Sequence, residues 1–333
     1  ANAYVALLSA ELGGIGILVM KNERTANVSG TGCWNTGIMR ALALDMEHTE
    51  YVGSTCKTFV AILDDDDEWE PQHVQICLEA DTAADWIVSG LIRDNGKRRS
   101  NERATLDTLC VSDFLRGNPG VQGSNLFLRL SLVLRAGMFD ESMNSMTDRD
   151  LCIRILDTLG ATAATRVAFT GVCTVVHHAD PIDIRPRVTT DKPAKEIAIN
   201  KFLWRYAHRF SKDDFDAFCS RMRSKFQIDV QPPPKEASAR SDITTLPTMS
   251  GDLVDLPQHA LRHLCRGPFH LTPVPESHKT LQGLFGIISS DTRRLRPLLK
   301  DIASMPKHIH ASVIMFANTA DPQRLEDLQD CAR

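Results

Sequence analysis

The stretch Thr58 to Pro71, TFVAILDDDDEWEP, most constrains the chain: a run of six apolar or β-branched residues stops against four consecutive aspartates. The run from Phe59 to Leu63 does not alternate and is too short for an isolated helix. It predicts a strand buried on both faces, as in a sheet covered by helices. Four adjacent carboxylates repel one another unless a cation offsets their charge. Oxygen donors of this kind suit magnesium or manganese. If the chain stays extended past Leu63, Asp64 and Asp66 point the same way and form a D-x-D clamp. The competing account is a solvated acidic turn. It is weakened here because ligand sites in open α/β sheets lie at the carboxyl ends of strands.

Composition narrows the class. The chain has 333 residues, 43% hydrophobic and 24% charged, which is globular and long enough for one large domain or two smaller ones. A net charge of -4 gives no general attraction to nucleic acid or to an anionic membrane. Nine cysteines without a C-x-x-C pair argue against a disulfide framework and fit a reducing, cytoplasmic setting. No apolar run approaches the roughly 20 residues of a membrane span. The chain starts at Ala1, which suggests a processed product or a fragment.

Residues 3–12 predict a helix and 14–20 a short strand, followed by the polar loop NERTANVSGTG. A helix then carries Ile38, Ala41 and Leu42, with Asn35 or Thr36 as its cap. Beyond the acids, 72–80 predict a helix and 84–92 a strand, an alternation that implies a largely parallel sheet. Arg93, Lys97, Arg98 and Arg99 lie in a charged turn that could meet phosphate, although a solvated hairpin tip is the simpler reading. Gly123-Ser124-Asn125 place small residues before the strand LFLRL, where backbone can approach a ligand. Asp148 and Asp150 open an amphipathic helix, either as helix-dipole caps or as acids facing a cleft. The strand 167–176 ends at His177-His178, one of which is a candidate third metal ligand.

Two helices follow before Phe226. The first buries Ile199, Phe202, Leu203 and Tyr206; the second buries Phe215, Phe218 and Met222 and opens on a capping box, Ser211 with Asp214. Lys201, Arg205, Arg209, Arg221 and Arg223 read as their solvated face. Eight of the 16 prolines fall between Pro232 and Pro275, the composition of a linker. A last α/β unit has strands at 284–291 and 312–319 with a helix between them.

Three ordered blocks, WNTGI, ILDDDDEWEP and GSNLFLR...AGMFDES...TDRDLCIRI, resemble the successive signatures of family 2 glycosyltransferases of GT-A fold. The resemblance spans about residues 15–180. It implies an α/β fold with a GT-A-type, mostly parallel sheet flanked by helices. It also implies a nucleotide-sugar donor, a divalent cation (manganese or magnesium) and inversion at the anomeric carbon. Residue by residue, Asp64 and Asp66 match the metal-binding D-x-D, with His177 or His178 as a late metal contact. Asp64, Asp65, Asn35, Gly123, Ser124 and Asn125 match the donor-binding positions, Asp148 the acid that deprotonates the acceptor, and Asp150 its companion. Cys33-Trp34 stand where the family carries a small residue and an arginine.

The expected organisation is a transferase core at 1–180 lacking its opening strand, a helical extension at 181–228, a linker at 229–280, and a partial α/β unit at 281–333. That last unit resembles the missing opening of such a domain. It is read as the start of a second transferase domain, with completion of the first by permutation as the alternative. The acceptor is not legible. Two other classes fit parts of the pattern. One is a phosphotransferase with an aspartate nucleophile, although Glu68 stands where Thr or Val is usual. The other is a non-catalytic sugar- or protein-binding module.

Overall fold

The computed structural model describes residues 6–8, 16–21, 30–48, 58–64, 66–81, 83–102, 108–179, 192–232, 283–288 and 311–317. In chain order these form β1 (Ala6–Leu8), β2 (Gly16–Lys21), α1 (Thr31–His48), β3 (Phe59–Leu63), β4 (Asp67–Trp69), α2 (His73–Ala80), β5 (Trp86–Asp94) and β6 (Arg99–Glu102). After them come α3 (Val111–Arg116), β7 (Leu126–Arg129), α4 (Leu130–Arg135), α5 (Thr147–Leu159), α6 (Ala163–Arg166), β8 (Val167–His178), α7 (Lys192–Tyr206), α8 (Lys212–Phe226), β9 (Gly283–Ile288) and β10 (Ala311–Ala317).

The protein is an α/β fold built on one mixed sheet, in the order β1-β2-β10-β9-β3-β7-β5-β8-β4, with β6 on β5. Pairings β2-β10, β10-β9, β9-β3 and β5-β8 are parallel; the other five are antiparallel. The sheet is therefore not mostly parallel as expected. The cause is local. Strand β7 enters between β3 and β5 antiparallel to both, and β4 turns back to pair with β8. The insertion matters for function, because an antiparallel β7 begins where β3 ends. Ala61 pairs with Phe127, so residues 123–125 come beside Asp64.

Strand β3 is buried along its whole length, as a non-alternating apolar run requires. The expected helix at 3–12 is a strand over its described part, Ala6–Leu8, paired with β2. Alanine and leucine favour a helix locally, and strand pairing overrides that preference. Strands β9 and β10 do not stand apart from the sheet. β9 runs parallel to β3 (Leu63 beside Ile287), and β10 lies between β9 and β2. The helix expected between the last two strands, and most of the proline-rich linker, lie outside the described residues.

The core joins sheet and helices through Trp86, Phe114, Phe127, Phe139, Phe202 and Phe218, all fully buried. α7 and α8 belong to this same core. The Arg149 guanidinium of α5 lies 4.6 Å from the Phe202 ring centre and 5.3 Å from that of Phe218, and its Nε donates to the Phe114 carbonyl at 2.8 Å. Asp214 caps α8 at Ser211, as the capping box predicts, and also accepts from Ser112 and Arg116 of α3. Arg205 is not on a solvated face. Arg205 pairs with Asp150 at 2.6 Å and with Asp140, and Lys201 donates to Ser142. Arg205 neighbours Tyr206 on the apolar side of α7, so its charge turns inward towards carboxylates. Arg223 is solvated, with its side chain 73% exposed, and Arg209 pairs with Asp157 at the surface.

Candidate functional site

The acids do not continue the strand. The Asp67 amide donates to the Asp64 carbonyl at 3.1 Å, closing a tight turn, so Asp64 and Asp66 meet by a chain reversal rather than by the period of an extended strand. One carboxylate oxygen from each of Asp64, Asp66 and Asp67 lies within 4.8 Å of the others. Asp64 and Asp66 are half-buried, and Asp67 is 3% exposed. Asp65, an expected donor contact, lies outside the described residues.

Asp67 is held on both sides. Ser124 Oγ donates to its Oδ2 at 2.6 Å, and His177 Nδ1 lies 2.9 Å from its Oδ1. His177 thus shares the face of the acids. His178, the next residue along β8, points to the opposite face and pairs with Glu68 at 3.1 Å. His177 touches the acid turn through Asp67 but lies outside the group of three acids close enough to share an ion, and His178 lies on the other face. As a donor set, the carboxylates of Asp64, Asp66 and Asp67 are the described groups close enough to share one divalent cation, and all-oxygen donors suit magnesium or manganese.

The small residues of the β7 entry divide their work. Ser124, fully buried, also accepts from the Asp64 amide at 3.1 Å, so one hydroxyl fixes both ends of the acid turn. Asn125 is occupied structurally: its amide donates to Ser89 O and Gly120 O, and its oxygen accepts from the Gln122 amide. Gly123 faces the acids directly. A Cβ there would lie 3.3 Å from Asp64 Oδ2 and 3.3 Å from Trp34 Cη2.

Asn35 and Thr36 do not cap α1. The helix starts at Thr31 after Gly30, whose φ of 73° suits glycine, and Asn35 lies one turn inside it. Its side chain clamps the backbone of Phe139, donating to the carbonyl at 2.8 Å and accepting from the amide at 2.9 Å, and also donates to Glu141. This serves the packing of α1 against the segment after α4.

Asp148 and Asp150 have different surroundings. Asp150 is fully buried and accepts from Arg154 at 2.8 Å, Arg205 at 2.6 Å and Tyr206 Oη at 2.8 Å, a closed ionic knot between α5 and α7. Asp148 is half-buried and accepts from Asn118 Nδ2 at 3.2 Å and from the Arg149 amide. Burial raises the Asp148 carboxyl above the usual carboxylate range, against the pull of the Arg149 amide and of the charges on Arg149 and Lys195. Met146, just before the helix, has φ 61°, a conformation a bulky side chain adopts at a cost. Asn118 Oδ1 also accepts from the amides of Gly120 and Val121. One loop therefore runs from Asp148 through Asn118 to Gly123, and so to Asp64.

Lys195 and Asn118 are parts of this region that the sequence pattern does not single out. Lys195 is 7% exposed and donates to Ser145 Oγ at 2.8 Å; burial lowers its ammonium to about 8. No sequence pattern distinguishes it from other lysines on helices. Its charge favours the ionised form of Asp148. In Lys195→Met that support is lost, the Asp148 carboxyl rises further, and the acidic limb of any Asp148-dependent pH–rate profile moves to higher pH. A lysine lowered from its ordinary 10.5 to about 8 also leaves the unfolded chain binding more protons between those values, so wild-type stability gains from this group as pH rises from about 8 to 10.5. Denaturation across that range checks the sign, since the variant lacks this gain.

Scanned against known proteins, the chain matches no family model and no curated sequence. No described helix is long and apolar enough to cross a membrane.

Proposed function

We propose that this chain is an inverting, metal-dependent glycosyltransferase that moves a sugar from a nucleotide-sugar donor to an acceptor hydroxyl. The observation that carries this reading is the hydrogen-bonded path from the acid turn at the end of β3, through residues 118–125, to an aspartate whose carboxyl is raised by burial. Such an arrangement separates two tasks, holding an anionic leaving group and removing a proton, and fixes the distance between them through one loop.

Asp64, Asp66 and Asp67, the last braced by Ser124 and His177, would hold the cation. Bound there, the cation offsets the charge that grows on the departing diphosphate. Asp148 accepts the proton of the acceptor hydroxyl as that oxygen bonds to the anomeric carbon and the bond to the diphosphate breaks on the opposite face. A raised carboxyl suits this role, because a base closer to the working pH transfers a proton more effectively. Asp150 carries no proton in this scheme; it fixes the helix that presents Asp148. We further infer a GT-A-type arrangement in which β9 and β10 serve as the opening strands of this same domain. Their parallel pairing with β3 and β2 supports that.

The test is release of nucleoside diphosphate from a panel of nucleotide sugars in the presence of Mn²⁺. Turnover is expected to need the metal, to stop with EDTA, and to be lost in Asp66→Ala. Undiminished turnover in that variant would remove the metal assignment.

A further inference from the structure

We propose that Asn118 is the positioning residue of Asp148: its side-chain N–H fixes which way the carboxylate faces and favours the ionised form that takes up a proton. The inference rests on the reading of Asp148 as the base. Asn118 is half-buried in the loop after α3, and its amide joins two parts of the chain. Its Oδ1 accepts from the amides of Gly120 at 2.9 Å and Val121 at 2.8 Å, while its Nδ2 donates to Asp148 Oδ2 at 3.2 Å. The two backbone donors settle which way round the amide lies, because only its oxygen can accept from them. The nitrogen therefore has to face Asp148. The loop is anchored in turn at the entry to β7, where Asn125 Nδ2 donates to the Gly120 carbonyl at 2.9 Å.

The charged groups around Asp148 do not hold its carboxylate by their side chains. Arg149, on the same helix, spends its guanidinium on the carbonyls of Phe114 and Leu115 and offers Asp148 its backbone amide, 2.8 Å from Oδ1. Lys195 of α7 donates to Ser145 Oγ. Arg116, at the end of α3, is turned to Asp214, and burial keeps the Cys152 thiol, one turn along α5, protonated. Among the described residues, Asn118 is thus the side chain that hydrogen-bonds Asp148, and it carries no charge.

That combination suits a base. A guanidinium or ammonium in its place would hold the carboxylate too low to take a proton, and an aliphatic side chain would leave it free to turn and, being buried, to stay protonated. An amide gives one oxygen to the turn and one N–H to the carboxylate in a single rigid plane. Each Asp148 oxygen then has one donor and keeps a lone pair for an incoming hydroxyl.

One atom separates this role from bracing the loop. In the full chain, Asn118→Asp keeps an oxygen for the Gly120 and Val121 amides and turns a carboxylate oxygen, in place of the donor, towards Asp148. The two amides hold the new carboxylate ionised, so the proton that the pair shares goes to Asp148. With ¹³C-labelled aspartate carboxyls, assigned by the signal missing in Asp148→Asn, the Asp148 titration midpoint is expected to rise by about one pH unit, a tenfold change in its protonation equilibrium. The acidic limb of kcat for transfer should move by the same amount, with donor KM within about twofold of wild type. A second measurement needs no variant and decides the matter if Asn118→Asp does not fold: with ¹⁵N-asparagine, the wild-type Asn118 Nδ2 resonance should titrate with the Asp148 midpoint. An unmoved Asp148 midpoint in Asn118→Asp, or an Asn118 resonance that stays flat through the Asp148 titration, overturns the proposal and leaves the transferase reading standing. A raised midpoint in a protein whose wild type transfers no sugar supports the hold of Asn118 on Asp148 and overturns the reading of Asp148 as a base.

Discussion

Replacing Asp148 by asparagine is expected to lower glycosyl transfer by about 10²–10⁴-fold while changing divalent-cation and donor affinity by no more than about twofold. Asparagine keeps the shape and the hydrogen bond from Asn118 but cannot accept a proton. The same change should not weaken the fold. Burial raises the Asp148 carboxyl, so the folded state keeps its proton to higher pH than the unfolded chain. Its stabilising contribution is present at low pH and lost as pH rises through the raised value; at neutral pH the charge is a cost. Asp148→Asn should therefore unfold in denaturant at the same concentration as wild type or a higher one. A function that needs a disfavoured charge has this signature. Transfer that survives in Asp148→Asn would place the base on another residue.

Two positions along the same helix the outcome reverses. Asp150→Ala is expected to destabilise the protein by about 3 kcal/mol, because it removes the buried carboxylate that Arg154 and Arg205 share, leaving them Asp140 and backbone carbonyls, and deprives Tyr206 Oη of its acceptor. An exposed pair provides the comparison: Asp157→Ala, which breaks the contact with Arg209 at the surface, should cost at most about 1 kcal/mol. Urea denaturation of the three variants separates the roles. An Asp150→Ala protein as stable as wild type would show that α5 is fixed by apolar packing alone, and Asp150 would then need another explanation.

This contrast also marks what could be read in advance. Asp148 and Asp150 both sit in the first turn of a helix, where the dipole favours acids, and nothing local distinguishes them. The distinction comes from α7, which sends Arg205 and Tyr206 to one of them and the Lys195 charge towards the other. Strands β3 and β5 were legible because burial imposes an apolar run on the sequence itself. The direction of β7 was not, since LFLR reads the same in either orientation, and with it went the expectation of a mostly parallel sheet. The pairing of β9 with β3 joins residues more than two hundred positions apart, a contact no local pattern encodes. The acid run pointed to Asp64 and Asp66, but the geometry that gathers them is a turn, and the hydroxyl that holds the turn comes from Ser124. Asn35 and Asn125 were expected at the donor and instead brace backbone, because buried amides are most often satisfied by carbonyls and amides nearby.

The claim on which the rest depends is that the turn from Asp64 to Asp67 binds a divalent cation together with a diphosphate. Titration of the wild-type chain and of Asp66→Ala with Mn²⁺, followed by the loss of the free-ion electron paramagnetic resonance signal, tests it directly. The account predicts one Mn²⁺ bound per wild-type chain, more tightly when a nucleoside diphosphate is present, and no such binding in Asp66→Ala. Equal binding by both proteins, or none by wild type with the diphosphate present, would contradict it.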